Sequence, residues 1–136
     1  MIYLDSSALI KLLLEEPESA GLERWLSIRP DEPITSSELA KVEVIRAMRR
    51  LRADSLPAAR DLLGPIDLIP LSTRLIEDAA NLDGPLLRSL DALHLASALS
   101  IADELTAFVA YDRRLSEAAS KAGLEPVQPG RRAGAQ

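Results

Sequence analysis

Four carboxylates in this 136-residue sequence stand where a solvated surface does not explain them. Asp5 ends the apolar run Ile2-Tyr3-Leu4, and Asp112 ends Phe108-Val109-Ala110-Tyr111. Glu43 lies inside an amphipathic stretch, and Asp91 sits in SLDALHLA, which is otherwise small and apolar. Carboxylates are seldom fully buried without a partner. Two of them about 4 Å apart repel by roughly 4 kcal/mol at an effective dielectric near 20, and a divalent cation removes most of that cost. The chain has no cysteine and one histidine, His94, which excludes zinc-thiolate sites, thiol catalysis and three-histidine zinc sites. Hard oxygen donors suit one or two Mg²⁺ or Mn²⁺ ions. Such an ion polarises a phosphate oxygen and activates water, so the chemistry in view is phosphodiester hydrolysis.

The elements that must position these acids alternate between strand and helix. Ile2-Tyr3-Leu4 reads as a strand and Ser6 to Leu14 as a packed helix. Pro17 near a first turn predicts a second helix reaching about Leu26. Ile34-Thr35 predicts a strand, followed by a helix of about four turns from Ser36-Ser37-Glu38 to Leu51 or Ala53. Leu56 to Leu63 predicts a short helix, Ile66 to Leu71 a strand, and Ser72 the cap of a helix to about Asn81. Asp83-Gly84-Pro85 is a turn signal before the most apolar helix, Ser89 to Ala102, with Ser89 as its expected cap. Thr106 to Tyr111 is a strand, a helix ends at Gly123, and Pro126-Val127-Gln128 is a last edge strand.

This alternation predicts a helix-rich α/β chain: a three-layer α/β/α sandwich with a short, mostly parallel sheet of four or five strands. The length predicts one domain over residues 1–130 and a disordered tail over 131–136. In open α/β sheets ligands bind at the carboxyl ends of the strands, where Asp5 and Asp112 fall. Each is also a favoured helix cap, and capping alone explains either one taken singly. Glu43 and Asp91 resist that explanation. His94, three residues after Asp91, reads as a packed histidine more readily than as a ligand, because imidazole matches Mg²⁺ poorly.

Four segments together resemble the PIN-domain ribonucleases, and among them the VapC toxins of toxin-antitoxin pairs. These are Ile2-Tyr3-Leu4-Asp5-Ser6-Ser7-Ala8-Leu9, Ser36-Ser37-Glu38-Leu39-Ala40-Lys41-Val42-Glu43-Val44, Asp91-Ala92-Leu93-His94-Leu95-Ala96 and Val109-Ala110-Tyr111-Asp112-Arg113-Arg114-Leu115. The resemblance implies that Asp5, Glu43, Asp91 and Asp112 are the catalytic acids, with Asp5 and Asp91 as direct metal ligands. It implies RNA as substrate, a product with a 5′-phosphate and 3′-hydroxyl, a small cognate antitoxin of the VapB kind, and a homodimer. Ser6 matches a hydroxyl position that supports the site in relatives. Ala110 departs from the pattern, since many relatives carry Thr or Ser there.

An acidic pocket repels RNA unless cations flank it, and the net charge of −5 gives no attraction at long range. Arg46 and Arg50, three and seven residues after Glu43, share its side of the helix and are candidates to hold phosphates, as is Arg113 beside Asp112. A solvated basic face explains the first two equally well. Apolar residues at 47% and charged residues at 27% fit an ordinary soluble protein without a membrane span. A strand starting at Ile2 leaves no room for an export signal, and with no cysteine this predicts a cytoplasmic protein. Two other classes compete with the nuclease: a non-catalytic α/β protein-binding module and a phosphoacceptor receiver-like domain. The receiver reading lacks an acidic pair before Asp5 and a late lysine at a strand end.

Overall fold

The computed structural model describes residues 1–84 and 86–132. Pro85 of the predicted turn and residues 133–136 of the predicted tail lie outside the described residues. Among these residues five short strands, β1 (Ile2–Leu4), β2 (Ile34–Ser37), β3 (Asp67–Ile69), β4 (Ala107–Val109) and β5 (Pro126–Val127), form one sheet in the order β3-β2-β1-β4-β5. All four strand pairings are parallel. Tyr3 is in register with Thr35 on one side and Phe108 on the other.

Among the described residues seven α-helices connect and cover the strands: α1 (Ser6–Lys11), α2 (Ser19–Ser27), α3 (Glu38–Leu51), α4 (Leu56–Leu63), α5 (Thr73–Ala80), α6 (Ser89–Leu99) and α7 (Arg113–Lys121). Side chains alternate across a strand, so β1 feeds both faces of the sheet. Ile2 and Leu4 join the core beneath α1 to α4. Tyr3 joins Phe108, Leu95 and Leu115 beneath α6 and α7, its ring stacked on Phe108 at 5.2 Å between centroids. The predicted three-layer sandwich is the observed one.

Several boundaries differ from the sequence reading. The first helix stops at Lys11, short of Leu14, because the chain turns back on itself. Ser19 Oγ donates to the Leu14 carbonyl and accepts from the Glu16 amide, while Lys11 pairs with Glu16 and Glu18, each at 3.1 Å. The second helix therefore starts at Ser19, two residues after Pro17. The apolar helix is capped by Arg88 and not by Ser89, and it ends at Leu99. At the end of α7, Gly123 adopts φ +95, a left-handed conformation that lets the Leu124 amide reach back to the Ala119 carbonyl at 3.0 Å.

Arg131, placed in the tail by sequence, is half-buried. Its guanidinium donates to the Tyr111 carbonyl at 2.5 Å, and the Tyr111 hydroxyl donates to the Pro129 carbonyl at 2.7 Å. No helix among the described residues is long and apolar enough to cross a membrane.

Candidate active site

In the order β3-β2-β1-β4-β5 the chain builds outward from β1 to β3, then returns to the other side of β1 for β4. The switch point lies between β1 and β4, where the connections diverge and leave a crevice at the carboxyl ends of the strands. Asp5 follows β1 directly, and its amide extends the ladder to the Val109 carbonyl at 3.1 Å. Asp112 stands three residues past the end of β4. These two acids flank the crevice.

Both are also caps. Asp5 Oδ1 accepts from the Ala8 amide at 3.0 Å and the Ser7 hydroxyl at 2.7 Å, and Asp112 Oδ1 accepts from the Leu115 amide at 2.9 Å. The capping bonds of each fall on a single oxygen. Capping and ligation are therefore compatible, since a carboxylate has about four acceptor sites. Asp91 occupies the first turn of α6, where the helix N-terminus favours an anion. Its side chain is 22% exposed, so the acid lies at the edge of the crevice and is not sealed in a helix core.

Glu43 comes from the second turn of α3 and is held by three other elements. Its Oε1 accepts from Ser6 Oγ at 2.5 Å and from His94 Nε2 at 2.8 Å. Ser6 Oγ also lies 3.1 Å from His94 Nε2, and the Tyr3 hydroxyl lies 2.7 Å from His94 Nδ1. A carboxylate only accepts, so Nε2 carries a hydrogen, and in the neutral ring Nδ1 then accepts from Tyr3. Burial, with the Asp5 charge, pushes the Tyr3 hydroxyl well above its ordinary range, which keeps it a donor. Tyr3 and His94 are 0% and 2% exposed, so this chain of bonds is sheltered from water.

The acids feel one another. Burial raises the Asp5 pKa and Asp91 adds to the rise, outweighing His94 and the bonds from Ser7 and Ala8. Burial likewise raises Asp91, with Asp112 and Glu43 adding to it and Arg88 and His94 opposing. Glu43 goes the other way: burial would raise it, but the hydrogen bonds from His94 and Ser6 hold it below the ordinary carboxylate value. Asp91 is the common neighbour of the other three acids.

The donor set consists of carboxylate oxygens, and in Asp5 and Asp91 burial together with the charge of neighbouring acids favours the protonated form, a cost that a hard divalent cation relieves. Among the described residues, however, no group of three or more acids or histidines is gathered closely enough to enclose an ion. Arg88 stands between two of them instead, its Nε 3.7 Å from Asp91 Oδ2 and its Nη2 3.6 Å from Asp112 Oδ2.

Of the other sequence candidates, Ser6 is buried with its hydroxyl directed at Glu43 and His94, which makes it a support for the acid. Arg46 and Arg50 are exposed on α3. Arg113 is exposed and donates to Glu117 at 3.0 Å. Ala110 is fully buried; its carbonyl accepts from Ser116 Oγ at 3.2 Å and Gln128 Nε2 at 3.1 Å. Sequence reasoning missed the role of His94 and passed over Arg88. The spacing of His94 from Asp91 was visible, but its partners come from β1, α1 and α3.

A parallel α/β sandwich with acids at its switch point defines the class. The chain belongs to the PIN domain family, which its sequence matches over residues 2–121. PIN-domain ribonucleases are generally dependent on divalent metal. The chain is 42% identical over 133 residues to ribonuclease VapC47 of Mycobacterium tuberculosis, covering 96% of this chain and 98% of the relative. Its fold matches the crystal structure of Mycobacterium tuberculosis VapC20, a sarcin-ricin loop cleaving toxin, with a TM-score of 0.75 at 19% identity over 95% of this chain and all of the other. VapBC2 from Rickettsia felis, bound to a DNA fragment from its promoter, matches with a TM-score of 0.71 at 16% identity, over 95% of this chain and 99% of that one.

Proposed function

We infer that this chain is an endoribonuclease of the VapC kind, the toxin of a toxin-antitoxin pair, hydrolysing RNA phosphodiester bonds at the acidic crevice. The carrying observation is that Asp91, joined to Asp112 through Arg88 and electrostatically coupled to Asp5, Asp112 and Glu43, lies beside the switch point of a PIN-domain sheet. Asp5 and Asp91 would hold a Mg²⁺ or Mn²⁺ ion, and Asp112 would help to hold a second. Bound there, such an ion would supply charge neutralisation at the phosphate and activation of the attacking water.

The chain's own groups do the rest. Glu43 stays ionised because His94 and Ser6 donate to it, so it is suited to orienting a water more than to taking its proton. Tyr3 holds the His94 ring in the tautomer that points hydrogen at Glu43. Arg46, Arg50 and Arg113 offer exposed guanidiniums to the RNA backbone, compensating locally for the net charge of −5.

The relatives named ribonuclease VapC, and the shared fold with VapBC2 of Rickettsia felis, support a small antitoxin of the VapB kind as partner. Exposed Ile28, Val42, Leu51, Leu86 and Leu90, and the half-buried run Leu12 to Leu14, offer apolar surface for it and for a homodimer. Residues 1–130 act as one domain in the cytoplasm. Family membership removes the ground for a phosphoacceptor receiver.

The test is RNA cleavage by the purified chain with Mn²⁺ or Mg²⁺. Cleavage that stops with EDTA and in Asp91→Asn is expected. Activity that survives both refutes the reading, and absent Mn²⁺ binding in titration calorimetry favours a non-catalytic binding module.

A further inference from the structure

We propose that Arg88 exchanges partners during the reaction: it neutralises Asp91 and Asp112 in the metal-free chain and binds an RNA phosphate in the adjoining arginine-lined cleft once those acids hold a cation. The proposal rests on the nuclease reading and adds a residue and a subsite to it.

Arg88 is the N-cap residue of α6, yet its side chain makes no capping bond. Its guanidinium reaches forward to the helix's own Asp91 and across to Asp112 on the next strand-helix turn, at 3.7 and 3.6 Å. Both contacts are longer than a hydrogen bond, and the side chain is 74% exposed. Pairs of this kind are weak and easily released. They engage one oxygen on each acid, and a divalent ion held by the same carboxylates displaces a single positive charge. The freed guanidinium has somewhere to go. A cleft of about 540 Å³ opens beside Asp112, lined by Leu86, Arg88, Asp112, Arg113, Arg114 and Glu117.

Three arginines lining one cleft next to an acid meant for a metal fit a polyanion whose neighbouring phosphate lies at that metal. Arg113 is already engaged with Glu117. Arg88 is the member that touches the acids, so it couples occupation of the acids to binding in the cleft. The occupant is RNA, because a phosphate every nucleotide lets one strand fill both places, and a single-stranded oligoribonucleotide is the probe.

The coupling predicts effects of opposite sign, which loss of a merely structural residue does not give. Titration calorimetry of Mn²⁺ into wild type, Arg88→Ala and Arg88→Lys is run beside kcat/KM for a single-stranded oligoribonucleotide at saturating Mn²⁺ over a range of salt. In Arg88→Ala, Mn²⁺ binds about five-fold tighter, since two weak ion pairs no longer compete. Its kcat/KM falls about ten-fold, and the slope of log kcat/KM against log salt becomes shallower by about 0.7, one phosphate contact on a single strand. Arg88→Lys lies between the two on each measure.

An Arg88→Ala chain with equal or weaker Mn²⁺ affinity, or with unchanged salt dependence, beside an active wild type overturns this proposal alone. The second result would leave the cleft to an acidic segment of a protein partner. A wild type that neither binds Mn²⁺ nor cleaves RNA overturns the nuclease reading and this proposal with it.

Discussion

Asp5→Asn should make the metal-free protein more stable while abolishing metal binding. Asn keeps the side-chain oxygen that accepts from Ser7 and the Ala8 amide, and Asn caps a helix about as well as Asp, so the cap costs almost nothing. What changes is the charge. Asp5 is 5% exposed, and burial together with Asp91 raises its pKa. A carboxylate pair at about 4 Å costs roughly 4 kcal/mol at an effective dielectric near 20. Asp91 is one of several contributions to the rise and His94 opposes it, so a quarter to a half of that, about 1–2 kcal/mol, is expected to be released. For a domain of this size that is about 3–8 °C in Tm.

The pH dependence follows from the direction of the shift. A group with a raised folded pKa binds more protons folded than unfolded, so wild-type stability falls as pH climbs from the ordinary carboxylate range through the raised value. Below that window both states carry a neutral Asp5, and the advantage of the variant vanishes. Thermal unfolding in EDTA should therefore show a Tm gap that is small near pH 4 and full at pH 7.5. With Mn²⁺ at about 100 times its Kd, wild type gains about 2.7 kcal/mol and overtakes the variant. A variant less stable than wild type in EDTA at neutral pH, or a gap independent of pH, would refute the reasoning.

Ser6→Ala removes a donor from Glu43, whose lowered pKa then rises toward the ordinary value; the acid limb of the kcat profile should move to higher pH, read from rates between pH 4.5 and 8. Tyr3→Phe deletes the donor to His94 Nδ1 and leaves a buried ring nitrogen unpaired, which should cost about 1–3 kcal/mol in denaturant unfolding. The same variant should lower kcat more than it raises KM, because Glu43 loses its fixed orientation. The double variant Arg46→Ala, Arg50→Ala should leave stability within about 0.5 kcal/mol, the residues being exposed, and make RNA cleavage less sensitive to salt.

The acids at strand ends were legible because one residue type served two local purposes. Asp5 and Asp112 lie where a strand turns into a helix, so periodicity places them, and the cap and the site use the same carboxylates. The sheet and its layers followed from the alternation of strand and helix. His94 was not legible as a support for Glu43, because Tyr3, Ser6 and Glu43 stand 91, 88 and 51 residues away in the chain. Ser89 looked the better cap by residue preference, but the backbone of Arg88 took that position and left its side chain for the acids. The early end of α1 depends on Ser19 reaching back to Leu14, a contact that apolar spacing alone does not encode.

The account depends on folding having gathered these acids to share a cation. Crystals grown with Mn²⁺ and measured near the manganese absorption edge test this most directly. An anomalous peak ligated by Asp5 and Asp91, with Arg88 turned away from Asp91 and Asp112, is the predicted result. Crystals that show no manganese at those carboxylates, while the same preparation cleaves RNA, would contradict it.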